Sequence, residues 1–146
     1  MQVQLRYFRS TDLSRVYDLA CRSLKEQYNP SLFIELSPYW RQGFLVLEDM
    51  GEIIGFVFGI MVSTVEARIL MLAVEEKHRG KGLGALLCRQ FFQECANKGV
   101  RLVSLEVRAS NLAAQRFYEK MGFVQVGVIE EYYSDKESGI ALQLFL

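Results

Sequence analysis

The chain has 146 residues, of which 51% are hydrophobic, and its 17 basic and 17 acidic side chains cancel to a formal net charge of zero. This length suits an ordinary buried core, so we expect residues 1–146 to form a single domain. The apolar share excludes a disordered chain, and the charge balance excludes the basic surface of a non-specific nucleic-acid binder. The longest apolar run, residues 53–62, is too short for a membrane-spanning helix, which needs about 20 residues.

Three cysteines and one histidine limit the chemistry open to the side chains. Cys21, Cys88 and Cys95 form no CxxC pair, and a single histidine cannot complete the usual zinc spacing, so we expect free, buried thiols and no metal site. A Ser-His-Asp or Cys-His scheme would depend on His78 alone, which argues against both. The first ten residues contain no apolar signal-peptide stretch, which favours a cytoplasmic protein.

The first half of the chain predicts a strand, two helices and three hairpin-connected strands. Residues 3–7 alternate between apolar and polar side chains, as in a half-buried strand, and residues 13–24 carry apolar side chains at helical spacing. A short helix is predicted near residues 31–36, before Pro38. Strands are predicted at residues 44–47, 53–63 and 66–74.

In the second half, helices and strands alternate. One helix is predicted over residues 83–98, where Gly99 suits its C-terminus, and another over residues 111–121, where Asn111 can cap the N-terminus. Strands are predicted at residues 100–107, 122–131 and 140–146. This order predicts an α/β protein with a mixed sheet and helices on its faces, rather than a TIM barrel or an all-β sandwich.

A glycine-rich turn joins a buried strand to the longer helix. Gly80, Gly82 and Gly84 allow a ligand to approach the backbone, and the first helical turn carries unpaired N–H groups and a partial positive charge. Arg79 and Lys81 add positive charge. The turn therefore predicts an anion site suited to a pyrophosphate, with an ordinary solvated loop as the alternative. It matches neither the Walker loop nor the dinucleotide fingerprint.

Two motifs resemble the GCN5-related N-acetyltransferases. The spacing Arg79-x-x-Gly82-x-Gly84 resembles their acetyl-CoA pyrophosphate loop, although Glu76 stands where many members carry proline. The run LEVRASNLAAQRFYEKMGF, residues 105–123, resembles the far wall of their CoA cleft, most closely in ribosomal-protein and archaeal N-terminal acetyltransferases. The resemblance implies the fold of that family: a mostly antiparallel seven-stranded sheet, splayed between its fourth and fifth strands, with about four helices.

The same resemblance implies that the cofactor is acetyl-CoA. The backbone of the strand at residues 70–74 would hold the pantetheine arm as an added strand, and N–H groups there would stabilise an oxyanion. The implied cofactor contacts are Leu72, Ala73, Val74, Arg79, Gly80, Lys81, Gly82, Leu83, Gly84, Ala85, Asn111, Ala113, Ala114, Phe117 and Tyr118.

Glu106 and Tyr118 are the candidates for proton transfer. Glu106 is an acid within an apolar strand, and it could act as a base, directly or through water, on an α-amino group with a pKa of about 8. The alternative is a structural ion pair with a neighbour such as Arg108. By the family match, Tyr118 would protonate the departing thiolate; the alternative is a packed core aromatic.

The predicted binding site for the acetyl acceptor is based on two further segments of the chain. Residues 24–28 resemble the Leu-Pro-Glu-x-Tyr loop of N-terminal acetyltransferases, with Lys25 in place of proline. The resemblance implies that Glu26, Tyr28, Tyr132 and Tyr133 line a peptide entrance; an exposed glutamate and two surface aromatics are the alternatives.

We therefore expect acetyl transfer to the α-amino group of a protein N-terminus, by direct attack in a ternary complex. Acetylation of a small-molecule amine or of a lysine is one alternative, and a CoA-binding module without catalysis is another. A ribosome or an auxiliary subunit is a compatible partner, whereas nucleic acid and membrane are not expected. The sequence is compatible with a monomer or a homodimer.

Overall fold

A computed structural model describes residues 2–24, 26 and 28–146, so Lys25 and Gln27 of the predicted peptide loop lie outside the described residues. The strands are β1 (Val3–Tyr7), β2 (Phe44–Asp49), β3 (Glu52–Met61), β4 (Glu66–Val74), β5 (Leu102–Arg108), β6 (Val124–Ile129) and β7 (Gly139–Phe145). The helices are α1 (Leu13–Ser23), α2 (Ser31–Leu36), α3 (Leu83–Lys98) and α4 (Leu112–Lys120). The described part of the chain contains no helix that is both long and apolar enough to cross a membrane.

The strands form one seven-stranded sheet in the order β1-β2-β3-β4-β5-β7-β6. All neighbouring strands are antiparallel except β4 and β5, which run parallel and pair only from Glu66 to Arg68 of β4. Beyond Arg68 the two strands diverge, and β5 continues its pairing with β7 as far as Arg108. The predicted mixed sheet and its splay are therefore confirmed, and among the described residues no strand pairs with this edge of β4 from Ile69 onward.

The helices bury their apolar faces against opposite sides of the sheet. On one side, Val16 of α1 and Phe33 of α2 pack into a core with strands β2 to β4. On the other side, Phe91 of α3 packs against β3 at a position where only glycine fits, because a Cβ on Gly59 would lie 2.3 Å from the Phe91 ring. The burial of large side chains on both faces fixes the sheet between the two helical layers.

A β-bulge lies in β4 where the splay begins. Phe58 of β3 pairs with Met71 and the next residue, Gly59, pairs with Ile69, so Leu70 is an extra residue on β4. Ile69 consequently belongs to the core beneath α3, whereas Met71 belongs to the core beneath α1 and α2. Bulges redirect side chains next to functional sites, and this one does so at the mouth of the cleft.

The three thiols are free, but one prediction about them was wrong. Cys88 and Cys95 are buried in α3, and burial raises the pKa of each to about 12, which leaves them protonated and inert. Cys21 is exposed. The buried stripe of α1 ends with Leu19 and Ala20, so the following residue faces outward.

Candidate active site

The splay between β4 and β5 opens into two adjoining cavities of about 420 and 470 Å³. The first, the tyrosine cavity, is bounded by Tyr28, Tyr132 and Tyr133; the second, the glycine cavity, follows the end of β4 to the glycine-rich turn. The walls of both include Ser23, Leu24, Leu72, Asn111, Ala114 and Tyr118. A molecule in one cavity can therefore meet a molecule in the other at these shared residues.

The glycine-rich turn forms one end of the glycine cavity. Gly80 and Gly82 both have φ of +78°, the left-handed conformation that side chains disfavour, and α3 begins directly after Gly82. No atom of the described residues lies within 4 Å of a Cβ built on either glycine, so these residues leave the space above the turn open. The unpaired N–H groups at the start of this 16-residue helix border the cavity and favour an anion.

All of the predicted cofactor residues except Lys81 line the glycine cavity. They are Leu72, Ala73, Val74, Arg79, Gly80, Gly82, Leu83, Gly84, Ala85, Asn111, Ala113, Ala114, Phe117 and Tyr118. Lys81 is exposed and does not form part of the wall, because the turn directs it to solvent. The side chain of Arg79 folds back, and its Nε donates to the Val74 carbonyl oxygen at 2.9 Å.

Sequence reasoning missed His78 as a wall residue of the glycine cavity. It closes the short 3-10 turn Glu76–His78 that follows β4, and its Nδ1 is buried without a hydrogen-bond partner among the described residues. The available signal was its position directly before the glycine-rich motif.

Helix α4 forms the opposite wall of the glycine cavity. Asn111 Oδ1 accepts a hydrogen bond from the Ala114 N–H at 3.1 Å, which confirms the predicted N-cap. The Phe117 ring lies 3.3 Å from where a Cβ on Gly84 would be. The start of α3 at Gly84 thus lies close to the Phe117 side chain of α4.

Tyr118 is buried where the two cavities join, with 7% of its surface exposed. Burial raises the pKa of its phenol well above the ordinary value, and the neighbouring Cys88 adds to the shift. Within the described part of the chain no hydrogen bond engages the hydroxyl. The phenol is therefore neutral at physiological pH and keeps its proton available for a ligand.

Glu106 lies in the tyrosine cavity and is held by two side chains. Its carboxylate contacts the Arg68 guanidinium and accepts a hydrogen bond from the Tyr132 hydroxyl at 2.9 Å, while Arg68 donates to the same hydroxyl at 3.1 Å. The Glu106 side chain is 8% exposed. The alternative of an ion pair at Glu106 is therefore confirmed, but its partner is Arg68, whereas Arg108 pairs with other carboxylates.

Arg108 joins the two loops that cover the tyrosine cavity. It binds both carboxylate oxygens of Glu26, at 2.6 and 2.9 Å, and it also donates to Asp135 and Glu137, each at 2.8 Å. Its guanidinium carbon lies 4.3 Å from the centre of the Tyr133 ring. The Glu26 carboxylate therefore already has a partner in Arg108, so Glu26 is not the exposed, unpaired glutamate of the alternative interpretation.

The predicted acceptor residues come together in this one cavity. Glu26, Tyr28, Tyr132 and Tyr133 all belong to its wall, together with Glu106. Burial, and secondarily the charge of Glu26, raises the pKa of Tyr28 and raises that of Tyr133 to about 12, so both phenols remain neutral hydrogen-bonding groups.

Arg68 is the second wall residue that sequence reasoning missed. The signal was a charged residue directly before the apolar run Ile69–Val74 of β4. Whether Arg68 contacts Glu106 depends on the register of β4 against β5, which the sequence alone does not reveal.

Comparison with known proteins identifies the family. The model of the acetyltransferase (GNAT) family matches residues 13–123. The chain belongs to this family. GNAT proteins are acetyltransferases, so the protein is an enzyme that transfers an acyl group, and the predicted family and fold are confirmed.

Individual relatives agree with this assignment. A Bacillus subtilis protein, provisionally named ribosomal protein bS18-alanine N-acetyltransferase, is 34% identical over 134 residues, which are 90% of this chain and 87% of that protein. An N-alpha-acetyltransferase of Sulfurisphaera tokodaii is 28% identical over 93% of this chain and 89% of its own. The crystal structure of Ard1 from Thermoplasma volcanium superimposes with a TM-score of 0.96, at 36% identity, over 100% of this chain and 99% of that one.

Proposed function

We propose that this GNAT acetyltransferase, a single domain over residues 1–146, transfers the acetyl group of acetyl-CoA to the α-amino group of protein N-termini. One observation carries the proposal: Tyr118 lies where the glycine cavity and the tyrosine cavity meet, and no described residue uses its hydroxyl proton. A donor bound in the first cavity and an amine bound in the second would react beside this phenol.

Acetyl-CoA is the donor, and the glycine cavity binds it. The diphosphate lies against the backbone N–H groups of residues 80–85, where the positive end of α3 stabilises it. The pantetheine arm extends along the free edge of β4 as an added strand, through backbone groups of residues 72–74. Asn111 and Phe117 complete the opposite wall. The thioester then lies next to Tyr118.

The tyrosine cavity receives the N-terminus of the protein substrate. Tyr28, Tyr132 and Tyr133 present neutral phenols suited to hydrogen bonds with the backbone of the first residues. Glu26 contributes through the loop geometry that its ion pair with Arg108 maintains. The N-alpha-acetyltransferase name of the Sulfurisphaera tokodaii relative supports this choice of acceptor. Ribosomal proteins are candidate substrates, since the Bacillus subtilis relative is named for one.

Two residues handle the protons of this direct transfer. Glu106 accepts, directly or through one water, the proton that the amine loses as its nitrogen bonds to the thioester carbon. Tyr118 donates its proton to the sulfur as the carbon–sulfur bond breaks, and solvent restores that proton through the tyrosine cavity. N–H groups on the free edge of β4 stabilise the oxyanion that forms between these two events.

A panel of acceptors tests the proposal. The panel contains peptides with free N-termini, the same peptides with a blocked N-terminus and an internal lysine, and spermidine as a small amine. We expect mass spectrometry to place the acetyl group on the free α-amine alone. Acetylation confined to lysine or spermidine would overturn the proposal, and acetyl-CoA binding without any transfer would indicate a non-catalytic module.

A further inference from the structure

We propose that Arg68 is a specificity-determining residue that selects protein N-termini whose first residue is aspartate or glutamate. This inference rests on the proposed function, because it concerns which α-amine enters the tyrosine cavity. It goes further by assigning a substrate class to a side chain that has no part in binding the donor.

The position of Arg68 is set by the splay. It is the last residue of β4 that pairs with β5, opposite Ser104, and it lies in the wall of the tyrosine cavity but not in that of the glycine cavity. Its side chain is 30% exposed, so a ligand can reach the guanidinium. The group already contacts Glu106 and Tyr132, which places its charge beside the proposed base.

The other cation in the described wall of this cavity cannot serve the same purpose. Arg108 is bound by Glu26, Asp135 and Glu137 and stacks on Tyr133, so a substrate carboxylate would have to displace one of these partners. Among the described residues, the only carboxylate that pairs with Arg68 is that of Glu106. Of the two cations, Arg68 is therefore the one whose partner, Glu106, also interacts with the substrate amine during the reaction.

Charge balance then identifies the ligand. An incoming α-ammonium competes for the Glu106 carboxylate and leaves the partly buried Arg68 guanidinium without its counter-charge. An uncompensated charge there is costly, and a carboxylate supplied by the substrate restores the balance through the paired hydrogen bonds that guanidinium groups make. Because Arg68 and the amine share Glu106 as a partner, that carboxylate must lie within one side chain of the amine, which indicates the first residue.

Isosteric peptide pairs test this selection. The pairs differ only in Asp against Asn, or Glu against Gln, at the first residue, and the measurement is the ratio of kcat/KM within each pair. For the unmodified enzyme we expect a ratio of about ten in favour of the acid, the effect of one charge-assisted hydrogen bond. The ratio should fall as salt is added, because dissolved ions screen the attraction between the partly exposed Arg68 guanidinium and the substrate carboxylate.

Three variants complete the test. Arg68→Met should bring the ratio to about one, whatever happens to the overall rate. Arg68→Lys should keep part of the preference, because lysine retains the positive charge but lacks the planar guanidinium group with its paired N–H donors. Arg89→Met, an exposed arginine of α3 outside both cavities, is the control and should leave the ratio unchanged. Thermal unfolding and CoA affinity establish that each variant is folded, and the salt dependence tests the unmodified enzyme directly.

The possible failures are distinguishable. A ratio near one in the unmodified enzyme, or a ratio that survives in Arg68→Met, would overturn the selection by Arg68 while leaving N-terminal acetylation intact. An equal loss on all peptides with the ratio preserved would make Arg68 a structural partner of Glu106 and would also overturn it. Turnover of spermidine with no peptide acetylated would overturn the proposed function together with this inference.

Discussion

The Tyr132 hydroxyl donates a hydrogen bond to Glu106 Oε1 over 2.9 Å. This bond connects the loop between β6 and β7 to the strand at the centre of the splay, so the candidate base and the candidate peptide-binding loop are positioned together. Arg68 completes the group from the other side of the cleft. The function of Glu106 can therefore be tested by a substitution that preserves its shape.

Glu106→Gln should lower kcat by about 100-fold, because the amide retains a hydrogen-bond acceptor for Tyr132 but cannot take up a proton. The deficit should narrow above pH 9, where hydroxide replaces the base. Glu66→Gln is the matched control, since Glu66 accepts one hydrogen bond from Ser104 at the closed end of the same strand pair and lines neither cavity. Steady-state rates within twofold of the unmodified enzyme at pH 7 would exclude Glu106 as the base.

Tyr118→Phe should lower kcat by about 100-fold with little change in the affinity for acetyl-CoA, because the ring keeps its packing and only the proton donor is lost. Calorimetry and steady-state kinetics measure the two quantities separately. Tyr39→Phe, which alters a tyrosine that is 85% exposed, controls for the loss of a phenol in general. If the variant and the parent have equal activity across pH, the phenol is not the acid.

Gly82→Glu should weaken CoA binding by at least about 100-fold, since it places a carboxylate where the diphosphate is expected. The control is Gly99→Glu at the opposite end of the same helix. Gly99 has φ of +88° and, like Gly82, has no atom of the described chain within 4 Å of a built Cβ. A side chain at Gly99 therefore imposes similar backbone strain away from both cavities. Unchanged CoA affinity in Gly82→Glu, or equal losses in the two variants, would reject the turn as the phosphate site.

Gly59→Ala should destabilise the fold by about 1–3 kcal/mol, because its Cβ would lie 2.3 Å from the Phe91 ring and 3.2 Å from the Arg68 carbonyl oxygen. Gly127→Ala on β6 is the matched control, as none of the residues that the structure describes has an atom within 4 Å of its built Cβ. Denaturant unfolding of the two variants measures the difference. Equal stability would mean that α3 does not approach β3 as closely as described.

Secondary structure was predictable wherever the signal was local. The helix Ser31–Leu36 and the strand Glu66–Val74 have the predicted bounds, because Pro38 and the continuous apolar run from Ile69 to Val74 act within a few positions. The cap at Asn111 was likewise readable from one residue and the helix that follows it. Strand β3 ends earlier than predicted, at Met61, since Ser63 accepts hydrogen bonds from the N–H groups of the turn.

The composition of the candidate site was predictable, but its charge pairing was not. The resemblance of two motifs to the acetyltransferase family is enough to place Gly82 and Tyr118 in one cleft. The pairing of Arg68 with Glu106 depends on the register at which two distant strands meet, and it cannot be read from either strand alone. The partners of Arg108 come from loops that only the folded chain brings together.

The central claim is that the two cavities bind donor and acceptor on either side of Tyr118. A crystal structure with CoA tests it most directly. We predict that the diphosphate lies on the backbone N–H groups of residues 80–85 and that the thiol sulfur lies within hydrogen-bonding distance of the Tyr118 hydroxyl. CoA bound elsewhere, or bound in the glycine cavity with its sulfur directed away from Tyr118, would contradict the account.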